Sequence, residues 1–249
     1  MRRNRQHCQA LLFLTVKGTQ FMSILRFRYC VFGVALGYWL YQFSTDGYDT
    51  FGWRFRHLTF WGLTGAVCAA WLMLSLSRKG QPPAHNALSS SIAVLNAMVL
   101  FLYWKLYFVD PSLVNGNGPI VWHQEYYLHL VGPLLMIGDA VFINRAFKDH
   151  LAGVSLTIGI CLTYILWAET IVRPLNIKPI GSVTSGLPYP FLNDMVFTQR
   201  AVFYATTIAT ALIIYGAFWL FKTLFFKLIS RKLLSQRAAF SRSKPRKAQ

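Results

Sequence analysis

Residues 88–109 read Leu-Ser-Ser-Ser-Ile-Ala-Val-Leu-Asn-Ala-Met-Val-Leu-Phe-Leu-Tyr-Trp-Lys-Leu-Tyr-Phe-Val, with a single charge, Lys105, near the far end. A helix rising 1.5 Å per residue needs about 20 such residues to cross the hydrocarbon core of a bilayer. This stretch is long enough to cross. Five more share its length and character: 27–44, 58–76, 121–143, 151–172 and 198–224. The whole chain agrees, with 55% apolar side chains, 16% aromatics and only 13% charged residues. A soluble domain carries roughly a quarter charged residues, so a soluble enzyme, a disordered chain and a disulfide scaffold are all disfavoured. The fold class expected is all-α: a polytopic membrane protein of six transmembrane helices.

The 25 Lys and Arg against 8 Asp and Glu give a net charge of +17. On a soluble protein that excess would suggest nucleic acid, but no recognition motif of that class is present. The placement of the charges explains them better. Nineteen basic residues fall on one side of the spans: Arg2, Arg3, Arg5, Lys17, Arg26 and Arg28, the two inner loops, and the stretch beyond the last span. Five fall on the other side, Arg54, Arg56, Arg173, Lys178 and Arg200. By the positive-inside rule both termini are expected in the cytoplasm.

The chain is therefore read as one domain with two appendages. Residues 1–26 form a basic lead-in, either interfacial or an overlong start with Met22 as the true first residue. Residues 27–230 form the transmembrane domain, and 231–249 a basic cytoplasmic tail suited to anionic headgroups. The location expected is a bacterial inner membrane or its equivalent. Loops are short except 173–197, whose prolines and glycines forbid a continuous helix and suit a roof over a site. Cys8, Cys30, Cys68 and Cys161 form no C-x-x-C pair and read as small buried apolar residues.

Titratable groups inside a span are costly, and each asks for a reason. They are Lys105, Glu125, His129, Asp139 and Glu169. Lys105 reads as a side chain snorkelling to the interface, Asp139 as a cap or a partner of Arg145, and Glu169 as a partner of Arg173. His129 lies about 12 Å along its span at 1.5 Å per residue, too deep to be met by water without partners. Glu125 precedes it by four residues and shares its helix face. Thr59 opens the second span on the same outer side. A threonine hydroxyl needs a base within hydrogen-bond reach, and a carboxylate can orient a histidine for that work. Thr59, His129 and either Glu125 or Glu169 would supply that chemistry. Trp122, Tyr126, Tyr127 and Trp167 are candidates to line an acyl site, or else belt residues at the interface. His57 and His123 match no common metal-ligand spacing, so neither metal nor cofactor is expected.

Four stretches in order carry a resemblance: His-Leu-Thr-Phe at 57–60, Tyr-Leu-His-Leu-Val-Gly-Pro at 127–133, Tyr-Ile-Leu-Trp at 164–167 and Pro-Tyr-Pro-Phe-Leu at 188–192. The sequence resembles the androgen-induced gene family, which includes the androgen-dependent TFPI-regulating protein, and related bacterial integral membrane proteins. The resemblance implies an intramembrane threonine hydrolase of fatty acid esters of hydroxy fatty acids, with Thr59 as nucleophile and His129 as base. Two departures stand out. Tyr126 occupies the place of a second family histidine, and His129 lies four residues before Pro133 where the animal pattern has five. Readings from other classes stay open beside it. One is a non-enzymatic lipid-binding protein or small-solute or proton carrier using Glu125, His129, Glu169 and Lys105. The other is a structural protein whose polar groups only join helices.

Overall fold

The computed structural model describes residues 2–44, 50–115, 120–178 and 186–242. Among these the only regular structure is helical, and six helices are long and apolar enough to cross a membrane. α1 runs Arg2–Gln42, α2 Leu58–Arg78, α3 Asn86–Val109, α4 Trp122–Ile143, α5 His150–Leu175 and α6 Phe197–Arg242. The stretch read as a lead-in continues α1 as helix. α6 likewise runs past 231, through Leu, Lys, Arg, Gln and Ala residues that favour helix.

α3 is the hub and packs on α2, α4, α5 and α6, while α1 lies outside against α2 and α4. In lipid there is little hydrophobic gain from helix contact, so close approach and buried hydrogen bonds must supply the association. Small residues make that approach possible. A β-carbon on Gly65 would come within 2.5 Å of Ile92, and one on Gly62 within 3.2 Å of Val99. Asn96 Nδ2 donates to the Gly62 carbonyl at 3.2 Å, joining α3 to α2. Ser91 Oγ donates to the Gly153 carbonyl at 2.9 Å, joining α3 to α5.

α4 and α5 are not uniform α-helices. Each widens to i→i+5 turns, at Tyr127–Val131 and Asp139–Ile143 in α4 and at Trp167–Val172 in α5. His129, Asp139 and Glu169 all sit in these widened turns. Such turns recur at functional positions because they turn a side chain away from the regular helical stripe.

Two expectations about charge are corrected. Arg28 is not part of an exposed basic flank; it is inside the apolar part of α1 and only 5% exposed. Its Nε lies 3.0 Å from Asp139 Oδ1, and its Nη1 donates to the Met73 carbonyl and the Ser77 hydroxyl. Asp139 therefore pairs with Arg28, not with Arg145. Arg145 follows the helix end with a left-handed backbone and lays its guanidinium 4.2 Å over the Phe226 ring. A cysteine expectation also changes: Cys30 and Cys68 are exposed on helix faces, where lipid makes an outward small apolar side chain unremarkable, and Cys161 is half-buried.

The Arg28–Asp139 pair ties α1 to α4 across the end of the bundle opposite Thr59. Removing one partner leaves the other charge buried, at a cost of about 3–5 kcal/mol. Asp139→Ala should therefore lower the melting temperature of the detergent-solubilised protein sharply, and Arg28→Met with Asp139→Leu should recover most of it. Thermal unfolding of the three proteins decides the point; equal melting temperatures would show that the pair does not hold the fold.

Candidate active site

The entrance to α2 is built by a sharp reversal. Gly52 takes φ +82°, a conformation side chains resist, and leads into one 3-10 turn, Trp53–Arg56. His57 is extended and caps α2, and its carbonyl accepts the Phe60 N–H at 3.1 Å. Thr59 thus lies in the first turn of α2, facing a cavity of about 250 Å3. The cavity runs between α2, α3, α4, α5 and α6. Its polar lining includes Arg54, His57, Thr59, Gln124, Glu125 and His129, and its apolar lining Leu102, Cys161, Ile165, Phe203 and Ile208.

Within it Thr59 Oγ1 lies 3.3 Å from His129 Nε2. On the other side of the ring, His129 Nδ1 lies 2.9 Å from Glu125 Oε2, close enough for an ion pair although off the line of an ideal hydrogen bond. The imidazole is only 7% exposed and stacks on the Tyr103 ring, with centroids 3.6 Å apart and planes 4° from parallel. The Tyr103 hydroxyl hydrogen-bonds the Glu125 carboxylate. Ring position is fixed from a third direction, because Trp104 Nε1 donates to the His129 carbonyl at 2.9 Å. The carboxylate on Nδ1 favours the tautomer with its proton there, which leaves Nε2 free to accept from the threonine.

Of the two candidate carboxylates, Glu125 is the one at the histidine. Glu169 is engaged elsewhere: Oε1 accepts from Arg200 Nε at 2.7 Å and from the Tyr204 hydroxyl at 2.8 Å, and Oε2 from Arg173 at 3.1 Å. Arg200 also donates to the Met195 carbonyl at 2.6 Å. This cluster pins the end of the long loop to α5 and α6. The loop's described part covers the site as expected, since Tyr189, Phe191 and Leu192 line the cavity; residues 179–185 of the segment lie outside the described residues.

The four aromatics proposed as acyl lining do not line the cavity. On α4 the stripe facing it is Gln124, Glu125, Leu128 and His129. Trp122 and Tyr126 occupy a different i, i+4 stripe and are each 46% exposed. Tyr127 turns towards α1 and stacks on Tyr38 at 3.9 Å, and Trp167 Nε1 donates to the Phe55 carbonyl at 3.2 Å. The aromatics that do line it are Phe60, Tyr103, Tyr164, Tyr189, Phe191, Phe203 and Tyr204. Tyr164 and Tyr189 lie in stretches already singled out by resemblance. Tyr103 had only a helical-spacing signal, the stripe Val99, Tyr103 and Leu106. Lys105 is exposed, with Nζ 5.9 Å above the Phe101 ring, and also reaches the cavity edge.

His57 is a further polar wall. Arg56 Nε donates to its Nε2 at 3.1 Å, and desolvation together with the Arg56 and Arg54 charges pushes its pKa down to about 3. It is neutral at every physiological pH.

Among the described residues no three His, Cys, Asp or Glu side chains come together as a metal-binding group. No curated protein and no solved structure matches the chain. The family model described as FAR-17a/AIG1-like protein matches residues 21–222, a range that includes the first five apolar stretches, all but the end of the sixth, and every residue of the site. The chain belongs to the FAR-17a/AIG1-like family.

Proposed function

We propose that this protein is an intramembrane hydrolase of fatty acyl esters, with Thr59 as nucleophile, His129 as base and Glu125 as the orienting carboxylate. The observation that carries the reading is the continuous line from Thr59 Oγ1 through both nitrogens of His129 to Glu125, set in the wall of a largely apolar cavity. In this scheme Oγ1 adds to the ester carbonyl while its proton passes to His129 Nε2. The intermediate collapses, the ester C–O bond breaks, and the alcohol leaves with the proton from His129. Water then repeats the sequence on the acyl-threonine and releases the fatty acid. Glu125 stabilises the imidazolium that forms twice in each cycle.

The family resemblance points to fatty acid esters of hydroxy fatty acids as the substrate class, and the apolar lining of the cavity suits an acyl chain. The basic bias of the chain ends supports an orientation with both termini in the cytoplasm and the cavity in the outer half of the bilayer. The tail would then meet anionic headgroups of a bacterial inner membrane or equivalent. A proton or ion carrier would need the buried polar groups connected in series. Here Glu169 is closed off by Arg173, Arg200 and Tyr204, and Asp139 sits at the far end with Arg28.

A fluorophosphonate probe on purified protein tests the reading directly. Wild type should label, Thr59→Ser should label more weakly, and Thr59→Ala and His129→Ala should not label at all while eluting as folded monodisperse protein. Folded wild type that fails to label would sink the hydrolase and leave a lipid-binding protein as the better account.

The role of Glu125 has its own signature. Glu125→Gln keeps the size of the side chain but cannot stabilise the imidazolium, and comparable loss in serine hydrolases costs about 10⁴-fold. Ester turnover should fall by at least about 100-fold with KM little changed.

A further inference from the structure

The scheme above supplies a nucleophile and a base but no donor for the negative charge that gathers on the carbonyl oxygen. In acyl transfer that donor carries much of the rate enhancement. Two groups at the entrance of α2 have no other task in the mechanism. The Tyr189 hydroxyl oxygen accepts the N–H of Leu58, the residue before the nucleophile, at 3.2 Å. Tyr164, whose own O–H is committed to the Arg56 carbonyl at 2.9 Å, offers the Tyr189 proton a resting acceptor. Tyr189 lines the cavity, so a rotation about one bond turns that proton towards a bound carbonyl.

His57 stands beside it, its ring edge-on to Tyr189 at 5.7 Å between centroids. Because Nε2 accepts from Arg56, the ring proton is on Nδ1, which has no acceptor among the described residues. The imidazole too lines the cavity. A neutral histidine is suited to donating a hydrogen bond without surrendering its proton, and burial that raises the Tyr189 phenol keeps it protonated as well. Both stand at the positive end of the α2 dipole, which favours negative charge at that point.

We infer that the Tyr189 O–H and the His57 Nδ1–H are the oxyanion-binding pair of this site. As the Thr59 Oγ1–carbon bond forms, the carbonyl π pair moves onto oxygen and both groups donate to it without transferring a proton. When the pair returns, the ester C–O bond breaks and the leaving alkoxide takes its proton from His129. The assignment rests on the hydrolase reading of Thr59 and His129.

The test is steady-state hydrolysis of a long-chain p-nitrophenyl ester by the full-length protein in detergent micelles. Wild type is compared with Tyr189→Phe, His57→Phe and His57→Asn, the last placing an amide donor where Nδ1 stands. Thermal unfolding of each variant reports the fold. Tyr189→Phe and His57→Phe should each lower kcat by about 100-fold, the scale of one lost oxyanion donor. KM should stay within about twofold, and His57→Asn should recover much of the loss. Wild-type kcat in folded Tyr189→Phe, or no better turnover in His57→Asn than in His57→Phe, would overturn the pair. Folded wild type with neither turnover nor fluorophosphonate labelling would instead remove the hydrolase reading, and the pair with it.

Discussion

Pro133 has no N–H to give to the carbonyl of His129, and the geometry of the site follows from how that missing bond is made good. In a regular helix residue 133 would donate to residue 129 and its ring would press on the same carbonyl. Here the backbone widens over Tyr127–Val131, and the Gly132 N–H reaches back to the Tyr127 carbonyl. The His129 carbonyl is met by the Trp104 indole at 2.9 Å. Inside a bilayer an unmet carbonyl is expensive, so this substitute bond is a condition of the helix existing at all. It also joins α4 to α3 at the level of the histidine and brings the Tyr103 ring flat against the imidazole. A position weakened by proline is thereby held from three sides.

The same logic recurs in α5. Pro174 follows the widened turn Trp167–Val172, and Glu169 lies within that turn. Its carboxylate gathers Arg173, Arg200 and Tyr204, and Arg200 passes the restraint on to the Met195 carbonyl. Two carboxylates of similar depth therefore have different work. Glu125 faces a histidine at the cavity wall, whereas Glu169 faces arginines and holds the end of the long loop. Each sits in a low-dielectric setting where a paired charge holds firmly and an unpaired one is costly.

How much of this was legible in the sequence depends on what each residue's position rests on. The spans were readable because bilayer thickness sets helix length directly. Thr59, Glu125 and His129 were readable because depth and i, i+4 spacing survive small errors in register. The aromatic lining was not, because a tryptophan or tyrosine near the interface reads alike whether its helix turns it to lipid, to a neighbouring helix or to a cavity. Stepping 100° per residue from Glu125 and His129 keeps Gln124 and Leu128 on their face and turns Trp122, Tyr126 and Tyr127 off it, but nothing in the sequence says that this face borders a cavity. Arg28 was misread for a related reason. Its partners, Asp139, Ser77 and the Met73 carbonyl, come from α2 and α4, so nothing near it in sequence marks it as buried.

The two buried charge systems divide the bundle by function. At one end Arg28 and Asp139 form a pair enclosed by backbone and serine. At the other, Thr59, His129 and Glu125 are left facing open space, and the hydroxyl–imidazole distance of 3.3 Å is longer than a settled hydrogen bond. A purely structural polar cluster would be expected to close on itself, and the first one does so through Arg28 Nε and Nη1, with Nη2 alone left over. A catalytic one must keep an acceptor uncommitted until substrate arrives, and such contacts are commonly loose in the empty enzyme. The difference in closure between the two ends is thus an argument about purpose. The membrane makes both clusters costly, and the one left open is set in the wall of a largely apolar cavity.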